Sequence, residues 1–504
     1  MNFLELMNQA QAAATWNGAL SHATSGSELV DLYYRAVRVP GSGKGFQHGE
    51  YVPKQFLSYL AKSWMVSPEA ALRLLFHLRD VREGKGERAM FYAGMVWLAK
   101  TDLGLFLRAL ALVPEYGAWK DVLEIAVLLG DERVTAEAVR LFVRALQDGD
   151  ALAHQAGRPG DAALAAKWAP SEGKRLDRAL GFVERVCKAA GWSRKTYRDT
   201  LVALRRVVET PMSAREWERI EYAHVPAKAM LTYNKAFERH APEAFKGYLE
   251  AVRKGEARIN AAALMAHEIV ARWFSGALGE AEELQWRALV EQYGASLENT
   301  LCVVDVSGSM QSGWGRVKPI HVALGLGLLA AHAQKGVFAG AFVTFSAQPT
   351  LQRVNLRARL ATQLQSMNTA AWDMNTDIQA VFQLILDTAR ANRLPQRQLP
   401  RRVLIFSDMQ FDQATGGNQL TNFQKAQRDF ERAGYVLPEL IFWNVNGATA
   451  DFPVQMHQSG AVLVSGWNQT LFKALSQNRI VDPLQMVLEI LGKPRYDAVG
   501  KLVA

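Results

Sequence analysis

Three short segments of the 504-residue chain carry oxygen-bearing side chains at the spacing a hard cation needs. The first, Asp305-Val306-Ser307-Gly308-Ser309, follows an apolar run (TLCVVDVS) that reads as a buried parallel strand. On a loop at the carboxyl end of such a strand, alternate spacing turns one carboxylate and two hydroxyls toward a common point. A cation such as Mg²⁺ takes oxygen ligands in a near-octahedral array and keeps waters, or accepts an outside carboxylate or phosphate. Further oxygens come from Thr376, in MNTD at the start of a helix, and from Asp408, in FSDMQF at the end of a strand. The spacing therefore predicts a divalent-cation site, Mg²⁺ by chemistry, made of Asp305, Ser307, Ser309, Thr376 and Asp408. The competing reading makes the pentapeptide a polar turn and Asp408 a helix cap.

The elements that must position these residues change character near residue 298. After it, GAFVTFS, RRVLIFSD, PELIFWNV and GAVLVSG join TLCVVDVS as strands. Between them lie helical stretches VKPIHVALGLGLLAAHAQ, TDIQAVFQLILDTARA and LTNFQKAQRDFERAG. Such alternation implies an α/β doubly wound parallel sheet with its ligands at the carboxyl ends of the strands. Before residue 298 almost everything reads as helix. Apolar residues recur at three- and four-residue spacing in SPEAALRLLFHLRDVREGKGERAMFYAGMVWLAK, with Ser67-Pro68 as a start signal. Successive helix pairs, without an exact repeat period, predict an all-α HEAT-like helical repeat over residues 1–297 and an α/β domain over 298–504. The segment 149–173, rich in Ala, Gly and Asp, reads as a loop.

Composition narrows the function. Nearly half the residues are apolar and 21% are charged, as in a well-buried globular protein. Cys187 and Cys302 are the two cysteines, which excludes a disulfide framework and a multi-cysteine zinc site and suits a reducing compartment. No basic segment followed by a long apolar stretch opens the chain, and the run Val322 to Ala331 is too short to span a bilayer. The expectation is a cytoplasmic protein with no membrane partner. GSGKG at 41–45 and EGKGER at 83–88 lack the phosphate-loop pattern and read as turns, with Lys85 and Arg88 as additional phosphate contacts. His267-Glu268 lacks the second histidine of a zinc protease, Ala271 standing in its place, and no nucleophile elbow is present, so no enzyme is expected.

The net charge of +9 is unevenly spread. Residues 174–206 hold ten basic residues against three acidic ones: Lys174, Arg175, Arg178, Arg185, Lys188, Arg194, Lys195, Arg198, Arg205 and Arg206. Such a concentration is either a footprint for a polyanion or a solvated helix face. Phe182, Trp192 and Tyr197 interleave with it. Helical spacing sends Phe182 inward, whereas Trp192, beside Gly191, is placed to stack on an unpaired base.

The three loops at Asp305, Thr376 and Asp408, in this order on an α/β pattern, resemble the metal-ion-dependent adhesion site (MIDAS) of von Willebrand factor A domains. In that family the metal bridges to an acidic group of a protein partner, and the domain does no chemistry. A helical solenoid followed by such a domain resembles the Ro autoantigen family, whose helical part is the TROVE module. The stretches TWNGALSHATSGSELVDLYYRA, LRDVREGKGER, PEYGAWKDVLE, AAKWAPSEGK and FSDMQFD look closer still to uncharacterised bacterial, phage and plant relatives known as domains of unknown function.

The Ro resemblance implies helical repeats closed into a ring. It also implies a ribonucleoprotein binding noncoding RNA, either Y-RNA-like or the 3′ ends of misfolded RNA, with the protein monomeric in the core particle. ALALVPEYGAWKDVLEI is similar to a Ro helix that supplies basic residues to RNA, which carries Lys120 into the RNA-binding set. One turn on, Glu124 stands where Ro-type sequences present an arginine, and a carboxylate facing phosphate is repulsive. Two other readings compete with the scaffold. One is an adaptor without RNA, such as the A-domain partner of an AAA+ ATPase, favoured if acidic neighbours neutralise the basic stretch. The other is a phosphodiesterase using the cation at Asp305 and Asp408.

Overall fold

The protein is described by a computed structural model covering residues 12–15, 17–38, 54–156, 160–205, 207–293, 297–311, 317–345, 349–370, 376–412, 420–447, 451–472, 475 and 482–503, with the side chains of 149–156 and 160–163 left aside. The GSGKG segment and Arg206 lie outside these residues.

The amino-terminal region is mostly helical, and its helices start where the sequence signals them. Ser67 accepts the Ala70 amide and Pro68 occupies the first turn of Pro68–Arg79. Asp102 caps Leu103–Leu110 by accepting the Leu105 amide at 2.8 Å. The loop expected at 149–173 is instead the end of one helix, Glu132–Ala156, followed by another, Gly160–Trp168. Alanine, the strongest helix former, outweighs the scattered Gly and Asp in this stretch. A second, smaller core gathers Tyr222, Phe237, Phe245 and Leu249, apart from the main one.

The carboxyl-terminal region is a six-stranded mixed sheet flanked by helices. Its strands are β3 (Thr300–Val304), β4 (Ala341–Thr344), β5 (Leu351–Arg353), β6 (Arg402–Ser407), β7 (Glu439–Asn444) and β8 (Ala461–Ser465). They lie in the order β5-β4-β3-β6-β7-β8, all neighbours parallel except β5, an antiparallel edge. Strand order therefore reverses between β3 and β6, and the crevice beyond their carboxyl ends is where such sheets hold ligands.

Helix Pro319–Ala333 is buried on every residue but His332, because it is sandwiched between the sheet and helix Ala266–Phe274. Two glycines permit this. A Cβ on Gly325 would sit 3.0–3.1 Å from the backbone of Ala266 and His267, and one on Gly327 would meet Val304 Cγ2 at 2.5 Å.

Each region lends its chain end to the other. A hairpin the sequence did not suggest, β1 (Ala12–Ala14) with β2 (Leu20–His22), bridges to the sheet region at Gly18–Asp412 and His22–Phe452. In return, Pro483–Leu491 and the residues after it pack on the amino-terminal helices. Arg495 pairs with the buried Asp80 in bidentate fashion through Nε and Nη2 (2.5 and 2.9 Å), and Tyr496 donates to the same carboxylate at 3.1 Å.

Lys85 completes the junction. Its ammonium donates to the carbonyls of Tyr33 and Ala36 (3.0 Å for the latter) and to Ser465 Oγ at 2.7 Å, with the whole side chain buried. The phosphate contact expected of Lys85 is thus corrected: a lysine closed off from water and filled with internal acceptors cannot reach a phosphate. Arg88 is half-buried at the amino end of helix Ala89–Thr101.

Candidate functional site

Strand β3 runs directly into Asp305, and the tight turn after it sends the chain into a 3-10 turn, Gly308–Gln311. Asp305 is fully buried. Its Oδ1 accepts the Ser307 amide at 2.9 Å and its Oδ2 accepts the Ser407 hydroxyl at 2.6 Å. Ser407 is the last residue of β6, so the adjacent strand itself orients the aspartate, and the next residue along is Asp408. The hydroxyls of Ser307 and Ser309 lie 3.1 Å apart, and Ser309 is near enough to the Asp408 carboxyl to favour its charged form. The structure thus brings Asp305, Ser307, Ser309 and Asp408 together at the strand-order reversal.

Thr376, 2% exposed, comes in from a third loop, through Asp412. The Asp412 carboxylate accepts the Thr376 amide at 2.8 Å, and the Asp412 amide donates to the Thr376 carbonyl at 3.1 Å. The helix that follows is capped by Asp377, whose carboxylate accepts the Ala380 amide at 3.1 Å.

Burial pushes the Asp305 carboxyl above the ordinary carboxylate range, against hydrogen bonds from Ser307 and Ser407, and the nearby Asp412 charge adds to the rise. Asp408 is raised by burial first and by the Asp305 charge second. Among the described residues no lysine, arginine or histidine pairs with either. Two carboxylates removed from water without a counter-charge are costly. A divalent cation would supply that charge, and the donor set, carboxylates and hydroxyls only, is the kind a hard ion takes. The residues present fit the cation. Among the described residues no three His, Cys, Asp or Glu side chains group so as to hold a metal ion, so the candidate set here is two aspartates completed by hydroxyls.

The sequence reading missed Ser407 and Asp412. Both stand in FSDMQFD, but their partners lie 102 and 36 residues away.

The basic stretch forms three short helices, Arg175–Leu180, Phe182–Ala190 and Arg194–Leu204. Acidic side chains from outside the stretch meet four of its arginines. Arg175 pairs with Glu124, Arg185 with Glu132, and Arg194 and Arg198 with Glu172. Arg205 donates to the carbonyls of Ala166 (2.8 Å) and Ala169 (2.7 Å) at the end of helix Gly160–Trp168, a structural role. Lys174, Arg178, Lys188 and Lys195 are exposed.

Lys120 lies 3.4 Å from Glu124, over the Trp168 ring. Glu124 is 1% exposed and ion-paired with both Lys120 and Arg175, so its charge is countered within the protein and the repulsion expected at this position is offset. Phe182 is buried against Phe142, as its spacing predicts, and Tyr197 is buried too. Trp192 is half-buried against the core.

Residues 15–139 and 133–296, together more than half of the chain, match the model of the family described as Domain of unknown function (DUF2828). Residues 299–491 match the Domain of unknown function (DUF7788). The uncharacterized protein L728 of Acanthamoeba polyphaga mimivirus is 28% identical over 518 residues, covering 96% of this chain and 87% of that protein. Among solved structures, the crystal structure of the Deinococcus radiodurans RO (RSR) protein aligns over 90% of this chain and 100% of that one, at a TM-score of 0.49 and 14% identity. No helix among the described residues is long and apolar enough to cross a membrane.

Proposed function

The chain belongs to the DUF2828 family, and we propose that it is a non-enzymatic scaffold whose metal-ion-dependent adhesion site binds an acidic group of a protein partner. The observation that carries this reading is the pair of buried, electrostatically interacting carboxylates, Asp305 and Asp408, set among hydroxyls with no cationic side chain paired to either among the described residues. Asp305, Ser307, Ser309, Thr376 and Asp408 would hold Mg²⁺, and the bound cation supplies a Lewis-acidic coordination position for an external carboxylate. The chain's own residues do the rest. Ser407 and the Ser307 amide fix the Asp305 carboxylate, and Ser309 reaches across to Asp408.

The test is titration calorimetry of the full chain with Mg²⁺, then with glutarate as a carboxylate probe in its presence. Wild type binds Mg²⁺ and, with it, glutarate; Asp305→Ala binds neither. A wild type that takes no cation overturns the reading. RNA cleavage that Asp305→Ala abolishes would instead make the protein a phosphodiesterase.

A second function of the same scaffold, binding noncoding RNA, is favoured by the exposed Lys174, Arg178, Lys188 and Lys195 beside half-buried Trp192. Their contacts are electrostatic, so affinity for a structured RNA falls steeply with salt. Replacing these four by alanine flattens the salt dependence, whereas replacing the paired Arg175, Arg185, Arg194 and Arg198 changes it less. An unchanged slope in the first variant leaves the adaptor reading, with the cation site as the working surface.

A further inference from the structure

We propose that Asp412 and the amino-terminal hairpin are the positioning machinery of the cation site, so that cation occupancy and hairpin docking are coupled. This rests on the cation reading above.

Asp412 clasps Thr376 in both directions, its carboxylate accepting the threonine amide and its amide donating to the threonine carbonyl. Two of the three ligand-bearing loops are thereby joined. Asp412 is therefore a positioning residue: it sets where the Thr376 hydroxyl sits relative to Asp408, four residues before it.

The hairpin holds the same short segment from outside. Asn17 Nδ2 donates to the Gln410 carbonyl at 2.9 Å, the Thr15 hydroxyl donates to the Phe411 carbonyl at 2.6 Å, and Gly18 bridges Asp412. Three successive residues after Asp408 are thus each tied to the hairpin. Thr15 is 7% exposed, and its Oγ also accepts the Ala19 amide at 2.9 Å, so one side chain fixes the hairpin turn and the metal loop together.

The loop needs this support. Met409, directly after Asp408, has φ +66°, a left-handed conformation that costs a side chain of its size free energy. Such a conformation persists where its surroundings over-determine it. Met409 is buried, and a small cavity between it and the hairpin is lined by Thr15, Ala19, Leu20 and Phe411. The far side of the hairpin is anchored by the pairing of His22 with Phe452 and by the Met456 amide donating to the Ser25 carbonyl at 2.8 Å. A cation that fixes Asp408 and Thr376 stabilises the loop geometry that the hairpin recognises. By linkage, a docked hairpin must raise cation affinity by the same factor.

The experiment combines Mg²⁺ calorimetry with amide hydrogen exchange of the full chain, with and without Mg²⁺. In wild type, Mg²⁺ slows exchange across residues 12–22. Asn17→Ala, at an exposed position that leaves the core untouched, and Thr15→Val each weaken Mg²⁺ binding about three- to tenfold, the worth of one hydrogen bond. Their hairpin exchange responds less to the cation.

Asp412→Ala weakens binding further, and Asp412→Asn, which keeps an acceptor for the Thr376 amide, restores most of it. Wild-type Mg²⁺ affinity in all four variants, with hairpin exchange indifferent to the cation, overturns the coupling and leaves the cation site standing. Absence of Mg²⁺ binding in wild type overturns both.

Discussion

Replacing Lys85 by methionine keeps an unbranched apolar side chain and removes a buried charge, and its effect on stability depends on pH in a direction the structure fixes. Two terms oppose each other. The ammonium satisfies the carbonyls of Tyr33 and Ala36 and the Ser465 hydroxyl. Without it, Tyr33 keeps a donor in Ser465 (3.0 Å), while the Ala36 carbonyl loses its partner, at about 1–3 kcal/mol. Against that, burial lowers the Lys85 pKa from 10.5 to about 7, with the Glu87 charge opposing the fall.

The folded chain therefore releases this proton near pH 7, while the unfolded chain keeps it until about 10.5. Between those values the unfolded state binds the extra proton, so wild-type stability rises with pH by about 1.4 kcal/mol per unit. Below pH 7 the whole penalty is present. Lys85→Met has no such group, so its deficit relative to wild type must grow by about 2 kcal/mol from pH 7.0 to 8.5. His77, held well below its ordinary range by burial and partly by the Lys85 charge, stays neutral across this window and does not disturb the comparison. Urea denaturation of both proteins at the two pH values measures the gap. A gap that stays level or narrows as pH rises refutes the reasoning.

Other substitutions test the same architecture. Asp80→Asn leaves Arg495, itself 16% exposed, against a neutral amide, and is expected to cost about 3 kcal/mol in urea denaturation and to speed proteolysis after Pro483. Gly327→Ala drives a methyl into Val304, next to Asp305, and the overpacking (about 1–3 kcal/mol) outweighs the helix-propensity gain (about 1 kcal/mol), lowering the thermal midpoint. Gly247→Ala, in helix Pro242–Lys254 with open space where the methyl goes, raises the midpoint through the same propensity term unopposed.

What the sequence shows well is what neighbouring residues decide. The apolar runs of the sheet are legible because a strand buried on both faces is written in five or six consecutive side chains. The clustering of Asp305, Ser307 and Ser309 is legible because alternate spacing on one tight turn brings them together. The hairpin is the opposite case. Ala12–Ala14 favours a helix by propensity, and it becomes a strand through contacts such as Thr15 with Phe411, 396 residues away. Asp412 stood in plain view, but its role is defined by Thr376 in another loop. The basic stretch shows its cations and hides their partners, since Glu124, Glu132 and Glu172 all come from elsewhere in the chain.

The change of texture at residue 298 is a boundary of pattern and not of packing. One contiguous core runs from Val30 and Phe76 in the helices through Val303 and Ile405 in the sheet. Three short-range devices hold that junction: the hairpin on the segment ending in Asp412, Lys85 against Ser465, and Arg495 in the Asp80 carboxylate. Each joins residues separated by hundreds of positions, so each ties the two regions directly together. The orientation of the Asp305 and Asp408 loops relative to the helices is then set by buried polar contacts, which are specific in direction, as well as by apolar packing, which is not. The segment that follows Asp408 is thereby held by both regions, because Thr15, Asn17 and Gly18 contact Phe411, Gln410 and Asp412.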